Sequence, residues 1–144
     1  MSNGTTRCVL LADSHHGLIE GLRGLLETAF ASVFMVGDER SLIDGVKRLR
    51  PELTVVDLAL AGGNWLALLR EIKERSPESK LIVLSLYDDA SVVSATMVPG
   101  VDGFVLKRAA ATDMLEAAAT VLRGDRYVSP GVRKPLPPSS PRGQ

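Results

Sequence analysis

The sequence has one cysteine, few aromatic residues and no long apolar run. Cys8 stands alone among 144 residues, which excludes an internal disulfide and favours a reducing compartment. No segment approaches the roughly 20 apolar residues that a membrane-spanning helix needs. The first residues, MSNGTTR, also lack the apolar stretch of a secretory signal. We therefore expect a cytoplasmic protein without membrane partners, in which Cys8 is a buried and unreactive thiol.

An excess of charge of either sign is absent as well. The chain has 17 basic and 17 acidic residues, but residues 131–144 contain three basic residues and no acidic one. The rest of the chain therefore carries 14 basic and 17 acidic residues, a net charge of −3. Domains that bind nucleic acid usually concentrate basic residues on one surface. This balance argues against direct DNA binding by the folded part of the chain.

Short apolar runs alternate with segments of helical spacing. The runs are continuous, as is typical of parallel strands that are covered on both faces. A fifth helix is predicted to begin with Thr112 as its N-cap and to end at Gly124. The alternation predicts an α/β fold, a (βα)5 doubly wound parallel sheet. The five predicted strands are Cys8–Ala12, Val33–Val36, Leu53–Val56, Leu81–Leu84 and Gly103–Leu106.

The composition changes near the end of the chain. Residues 130–144 contain five of the eight prolines, so this stretch reads as an extended linker or tail. We expect one folded domain over residues 7–127, a size that suits a single core, and a proline-rich tail over residues 128–144.

Polar residues follow four of the five predicted strands. Asp13, Asp57, Ser85 and Lys107 each stand directly after an apolar run, and the ends of parallel strands meet at one edge of the sheet. This combination suits phosphoryl transfer, in which a carboxylate attacks phosphorus while a cation and hydroxyl donors stabilise the equatorial oxygens. Asp57 is the expected nucleophile, on the central strand. Asp13 would help to hold Mg2+, Ser85 would donate to a phosphoryl oxygen, and Lys107 would pair with its charge.

The chain resembles the receiver domains of bacterial response regulators in two-component signalling, and in particular those of NarL/LuxR-type transcription regulators. The resemblance covers about residues 7–130. It rests on "VLLADSHHGLIEGLRGLLE", "RPELTVVDLAL", "LIVLSLYDDASVV", "GVDGFVLKRAA" and "RGDRYVSP", which occur in the family's order.

The resemblance implies a CheY-like, flavodoxin-like strand order of 2-1-3-4-5 and a phospho-acceptor function. By it, Asp57 accepts a phosphoryl group from the phosphohistidine of a sensor histidine kinase. The backbone carbonyl of Ala59 would complete the protein ligands of Mg2+. Ser85 and Phe104 would form a switch pair that alters the face of helix four, strand five and helix five. Such a protein is not an enzyme in the usual sense.

Ser14 departs from the family pattern, which has a second acid beside the residue that matches Asp13. A neutral hydroxyl is a poorer magnesium ligand than a carboxylate, so we expect weak Mg2+ binding, direct or through water, and slower phosphorylation. Ala61 and Trp65 also stand where the family often has proline and glycine. Trp65 then either packs against the sheet or lies exposed near the site. His15 and His16 point in different directions and are not expected to bind a metal.

Other functions stay open at this point. A degenerate receiver would act as an interaction or dimerisation module that ignores phosphate, and Ser14 favours it. A phosphatase that resembles haloacid dehalogenases would need an acid where Ala59 stands, and a flavodoxin-like cofactor binder would need a phosphate-binding loop after the first strand. Relatives of this type continue into a helix-turn-helix domain, so we expect a longer regulator that contacts DNA only through that domain. A second copy of the chain is a further expected partner.

Overall fold

The computed structural model describes residues 7–13, 16–61, 63–97 and 100–132. These residues form six strands and five α-helices that alternate along the chain up to α5. Short 3-10 turns, Leu58–Ala61 and Lys107–Ala109, follow the third and fifth strands. The elements are β1 (Cys8–Ala12), α1 (His16–Glu27), β2 (Ser32–Val36), α2 (Glu39–Leu49), β3 (Leu53–Asp57), α3 (Trp65–Arg75), β4 (Lys80–Ser85), α4 (Ala90–Met97), β5 (Gly103–Leu106), α5 (Ala110–Leu122) and β6 (Tyr127–Val128).

The strands form one parallel sheet in the order β2-β1-β3-β4-β5-β6. The predicted doubly wound architecture and the order of its first five strands are confirmed. β6 was not predicted, because two residues carry no periodic signal. Tyr127 pairs with Gly103 and Val128 pairs with Phe104, so Val128 belongs to the sheet although the sequence placed it at the start of the tail.

The core lies on both faces of the sheet, which explains the continuous apolar runs. In β1, Val9 and Leu11 face the cluster that α1 and α5 cover. Leu10 and Ala12 face the cluster that α2, α3 and α4 cover. Because successive side chains of a strand point to opposite faces, a strand buried on both sides is apolar at most of its positions.

The boundaries of α5 differ in part from the prediction. Thr112 is not its N-cap, because the helix begins at Ala110 and continues directly from the 3-10 turn after β5. Thr112 therefore lies inside the first turn. The C-terminal prediction is confirmed, since Gly124 follows the helix with φ = 97°, a left-handed conformation that glycine adopts without steric cost.

Within the described ranges, none of the helices is both long and apolar enough to cross a membrane.

Candidate functional site

The predicted site residues lie at the carboxyl ends of the parallel strands, on one edge of the sheet. Asp13 directly follows β1, Asp57 ends β3, Ser85 ends β4 and Lys107 directly follows β5. β1 and β3 are neighbours where the chain reverses its direction of winding, the position at which doubly wound sheets form their binding crevice. Asp13, Asp57 and Ser85 are each only 1% exposed.

Both carboxylate oxygens of Asp57 accept hydrogen bonds. Its Oδ2 accepts from Lys107 Nζ at 2.5 Å, and its Oδ1 accepts from the backbone N–H of Ala59 at 3.0 Å. The Lys107 side chain is itself 9% exposed, so the ion pair is largely shielded from solvent. Charge-assisted hydrogen bonds of this kind are short and fix the carboxylate in one orientation.

The surroundings of Asp57 favour its ionised form. Burial raises the pKa of the carboxyl group, but hydrogen bonds from Asp13, Lys107 and Ala59 outweigh burial and hold the pKa below its ordinary value. Asp57 is therefore a carboxylate at neutral pH, which is the protonation state that a nucleophile requires.

Asp13 and Asp57 together supply the chemistry that a hard divalent cation prefers. A side-chain hydrogen bond with Asp13 helps to lower the pKa of Asp57, so the two carboxyl groups lie close together. Mg2+ commonly uses one or two carboxylates plus waters, and both groups are available to it here. Among the described residues, no three or more His, Cys, Asp or Glu side chains are grouped so that they could hold a metal ion. Ser14, the remaining predicted contact, lies outside the described residues, as does His15.

Ser85 faces the same space as Asp57. Its Oγ accepts from the backbone N–H of Tyr87 at 2.9 Å and donates to the carbonyl of Tyr87 over a long 3.4 Å. A cavity of about 450 Å³ adjoins Asp57. It is lined by Asp57, Leu58, Ala59, Trp65, Ser85, Leu86, Tyr87 and Val92.

Trp65 both packs against the sheet and lies near the site, the two alternatives that the sequence left open. Its half-buried side chain packs against the core cluster on the α2–α4 face of the sheet, and it also lines the cavity beside Asp57. Leu86 and Tyr87 enclose the cavity from the β4–α4 loop, and each is 65% exposed.

Phe104 is fully buried within the same core cluster and does not reach the surface. Its ring therefore already lies inside the protein in this conformation. Arg108, next to Lys107, pairs with Asp88 of the β4–α4 loop at 3.1 Å. This contact directs the Arg108 guanidinium toward the loop, and its side chain is 56% exposed.

The sequence analysis did not identify two buried polar residues, Ser129 and Asp113, that lie next to the turn carrying Lys107. Ser129 Oγ accepts from the backbone N–H of Leu106 at 3.1 Å and donates to Asp113 Oδ2 at 2.8 Å. Ser129 is 2% exposed and Asp113 is 9% exposed. The only signal in the sequence was the "RYVSP" stretch, which supported the resemblance without indicating a contact.

Comparisons with known proteins agree with this geometry. The family described as Response regulator receiver domain matches residues 9–119. DegU of Brevibacillus brevis, a transcriptional regulatory protein, is 29% identical over 126 residues, which are 86% of this chain and 53% of DegU. RcsB of Escherichia coli K12, also a transcriptional regulatory protein, is 30% identical over 134 residues, which are 89% of this chain and 62% of RcsB.

A solved structure shows the same fold. The non-phosphorylated receiver domain of E. coli RcsB superposes with a TM-score of 0.74 at 28% identity, over 86% of this chain and 98% of that one. The chain therefore spans the whole of an isolated receiver domain but only about half to three fifths of the length of the curated relatives it matches. From the strand order, the residues at the strand ends and the family match, this chain belongs to the response regulator receiver domain family.

Proposed function

We propose that this chain is the phospho-acceptor domain of a two-component response regulator and that Asp57 is the acceptor. The observation that carries the proposal is the buried Asp57–Lys107 pair, at 2.5 Å, with Asp13 and Ser85 at the neighbouring strand ends. The phosphoryl donor is the phosphohistidine of a sensor histidine kinase.

The reaction transfers one phosphoryl group between two side chains. A carboxylate oxygen of Asp57 attacks phosphorus, the P–N bond of the donor breaks, and its imidazole leaves with the electron pair. Lys107 first pairs with Asp57 Oδ2 and then moves to an equatorial phosphoryl oxygen, where negative charge has to be stabilised. The Ala59 N–H keeps the other oxygen in place.

Ser85 can donate a hydrogen bond to the phosphoryl group and lose only a weak contact. Its hydroxyl proton is engaged only in the 3.4 Å contact with the Tyr87 carbonyl, a length at which a hydrogen bond is weak. Rotation of the hydroxyl would let it donate to a phosphoryl oxygen, while its oxygen still accepts from the Tyr87 N–H.

Magnesium would be held by Asp13, Asp57 and the carbonyl of Ala59. When bound, the ion neutralises charge on the phosphoryl oxygens. Ser14 supplies at most a neutral hydroxyl, so binding should be weak, and Ser14→Asp should strengthen it in a calorimetric titration with MgCl2. An unchanged affinity in Ser14→Asp would remove the reason to expect a weakened site.

The response to phosphate would begin in the β4–α4 loop. Phe104 is already buried, so its ring has little room to move farther inward. Leu86 and Tyr87 are largely exposed and stand next to Ser85. Movement of Ser85 toward phosphate would pull on this loop and on α4, and in that way bias the α4–β5–α5 face between two arrangements. The role of Phe104 in the switch stays a prediction.

The output of the switch is proposed by analogy with these relatives. DegU and RcsB are transcriptional regulatory proteins of which this chain spans 53% and 62%. By analogy, a helix-turn-helix domain joined to residues 128–144 would contact DNA, and phosphorylation would favour pairing with a second copy of the chain.

Incubation with acetyl phosphate and MgCl2, followed by intact-mass measurement, tests the acceptor role. We expect an adduct of one phosphoryl group in the wild type and none in Asp57→Asn. Asp57→Asn folding should be verified by circular dichroism, so that a lost adduct reports the missing nucleophile. If the wild type forms no adduct even at high MgCl2, the degenerate receiver becomes the better description.

A further inference from the structure

The segment that follows α5 contacts the chain on both sides of the turn that carries Lys107. Residues Lys107–Ala109 form a 3-10 turn between β5 and α5. Ser129 contacts the chain on both sides of this turn, through the N–H of Leu106 before it and the carboxylate of Asp113 after it.

Ser129 completes the edge of the sheet where β6 ends. β6 pairs with β5 through two residues only, and the backbone N–H of Ser129 then donates to the Phe104 carbonyl at 2.9 Å. The next free donor of β5, the Leu106 N–H, finds the Ser129 hydroxyl instead of a backbone carbonyl. A buried N–H left without an acceptor is costly, so the serine side chain stabilises the last residue of β5.

The position of this last residue matters because Lys107 follows it directly. Lysine has a long and flexible side chain, and the place of its Nζ depends on a fixed backbone. Lys107 Nζ has to reach a carboxylate that is 1% exposed, and reactions of this kind lose rate steeply when a charged group is displaced by about an ångström.

We propose that Ser129, supported by Asp113, is a positioning residue that holds Lys107 at Asp57, so that the docking of residues 127–132 is coupled to the phospho-acceptor site. The proposal rests on the proposed function for its effect on phosphorylation. Coupling is reciprocal: if docking of the segment favours the Asp57–Lys107 geometry, changes at Asp57 alter the docking equally.

The two contacts require a side-chain hydroxyl, which accepts one hydrogen bond and donates another through the same oxygen. Ser129→Ala removes both contacts, whereas Ser129→Thr retains the hydroxyl. Ser79→Ala is a matched control, because Ser79 is 1% exposed against 2% for Ser129 and also has a hydrogen-bond partner, Thr54 Oγ1 at 3.2 Å. It directly precedes β4 and therefore lies at the opposite edge of the sheet.

Two measurements on the full chain separate positioning from general loosening. The first is the acylation rate of Lys107 by acetic anhydride, followed by peptide mass spectrometry with the exposed Lys47 as the internal reference. The second is the phosphorylation rate with acetyl phosphate and MgCl2. We expect Ser129→Ala to raise the acylation of Lys107 about fivefold and to slow phosphorylation about fivefold, a modest misplacement on the scale of such effects. Ser129→Thr should resemble the wild type in both.

Ser79→Ala should leave the acylation rate of Lys107 unchanged, although it removes a buried hydroxyl. If Ser129→Ala does not fold, Asp113→Ala provides the second variant. It keeps the acceptor for the Leu106 N–H, and we expect a smaller rise in Lys107 acylation.

The outcomes divide clearly. Two results would overturn the positioning role. In one, folded Ser129→Ala shows the same Lys107 acylation rate as the wild type. In the other, Ser79→Ala raises that rate as much as Ser129→Ala does. If Lys107 acylation rises as expected but no variant, the wild type included, is phosphorylated, positioning stands and the phospho-acceptor function fails.

Discussion

Lys107→Met tests the electrostatic design of the site, because it removes a charge and keeps most of the side-chain volume. The substitution leaves the Asp57 carboxylate 1% exposed and without its cationic partner. Breaking a buried ion pair on one side typically costs about 3–5 kcal/mol. Asp57 keeps its hydrogen bonds with Ala59 and Asp13, so we expect the lower end, about 3 kcal/mol in the free energy of unfolding. For a domain of this size, that loss lowers Tm by about 10 °C.

The loss should depend on pH with a definite sign. In the wild type, the pKa of Asp57 lies below its ordinary value despite the opposing effect of burial. Asp57 therefore contributes stability above the pKa of an unfolded carboxyl group, and this contribution disappears as pH falls through the folded pKa. Without Lys107, burial dominates and the folded pKa rises. The variant then relieves the buried charge by protonation of Asp57 as pH falls, so its loss of stability should shrink in mildly acidic solution.

Urea denaturation in the absence of magnesium measures both effects, with Trp65 fluorescence and circular dichroism as signals. Lys47→Met is the matched control, because Lys47 is exposed on α2 and its substitution should change stability by less than about 0.5 kcal/mol. A loss below about 1 kcal/mol for Lys107→Met near neutral pH, or a loss that is equally large in mildly acidic solution, would refute the reasoning.

Three further predictions concern the lone thiol, packing at one glycine and helix propensity at another. Burial, together with the charge of Glu52, raises the pKa of the Cys8 thiol, so iodoacetamide should label Cys8 more slowly in the folded than in the urea-unfolded protein near pH 8; equal rates by mass spectrometry would contradict this. A Cβ at Gly103 would stand 3.0 Å from Ile82 Cγ1, so Gly103→Ala should lose about 1–2 kcal/mol in urea denaturation through overpacking. Gly24→Ala, in open space on α1, should instead gain about 0.5–1 kcal/mol, and a loss there would show that the helix responds to something other than propensity.

Much of the fold was predictable from burial patterns. Each central strand is covered on two faces, so every position of Leu53–Asp57 is buried and the sequence shows a continuous run with one acid at its end. β6 escaped prediction because two residues form no pattern. Thr112 was assigned as a cap because threonine suits caps, but the 3-10 turn after β5 runs directly into α5. The start of α5 is therefore set by the preceding turn and not by the capping preference of threonine.

The candidate site was predictable in its members and not in its contacts. Parallel strands deliver their last residues to one edge, so Asp13, Asp57, Ser85 and Lys107 could be grouped without coordinates of any kind. Their catalytic and metal-binding roles stay predictions. That Ser85 bonds to the Tyr87 backbone, and that Trp65 and Tyr87 line the cavity beside Asp57, depends on loop conformation, which sequence patterns do not specify.

By itself, the sequence determined the parallel α/β architecture and the polar residues at the strand ends, because hydrophobic periodicity and strand direction are local properties that add up to one topology. Only the tertiary structure decided that Lys107 pairs with Asp57 across 50 residues of chain and that Ser129 bridges Leu106 and Asp113, which are 23 and 16 residues away. The physical reason is that a hydrogen bond between distant residues leaves no periodic trace in the chain. Its partners become neighbours only when the sheet, the helices and the final segment pack together.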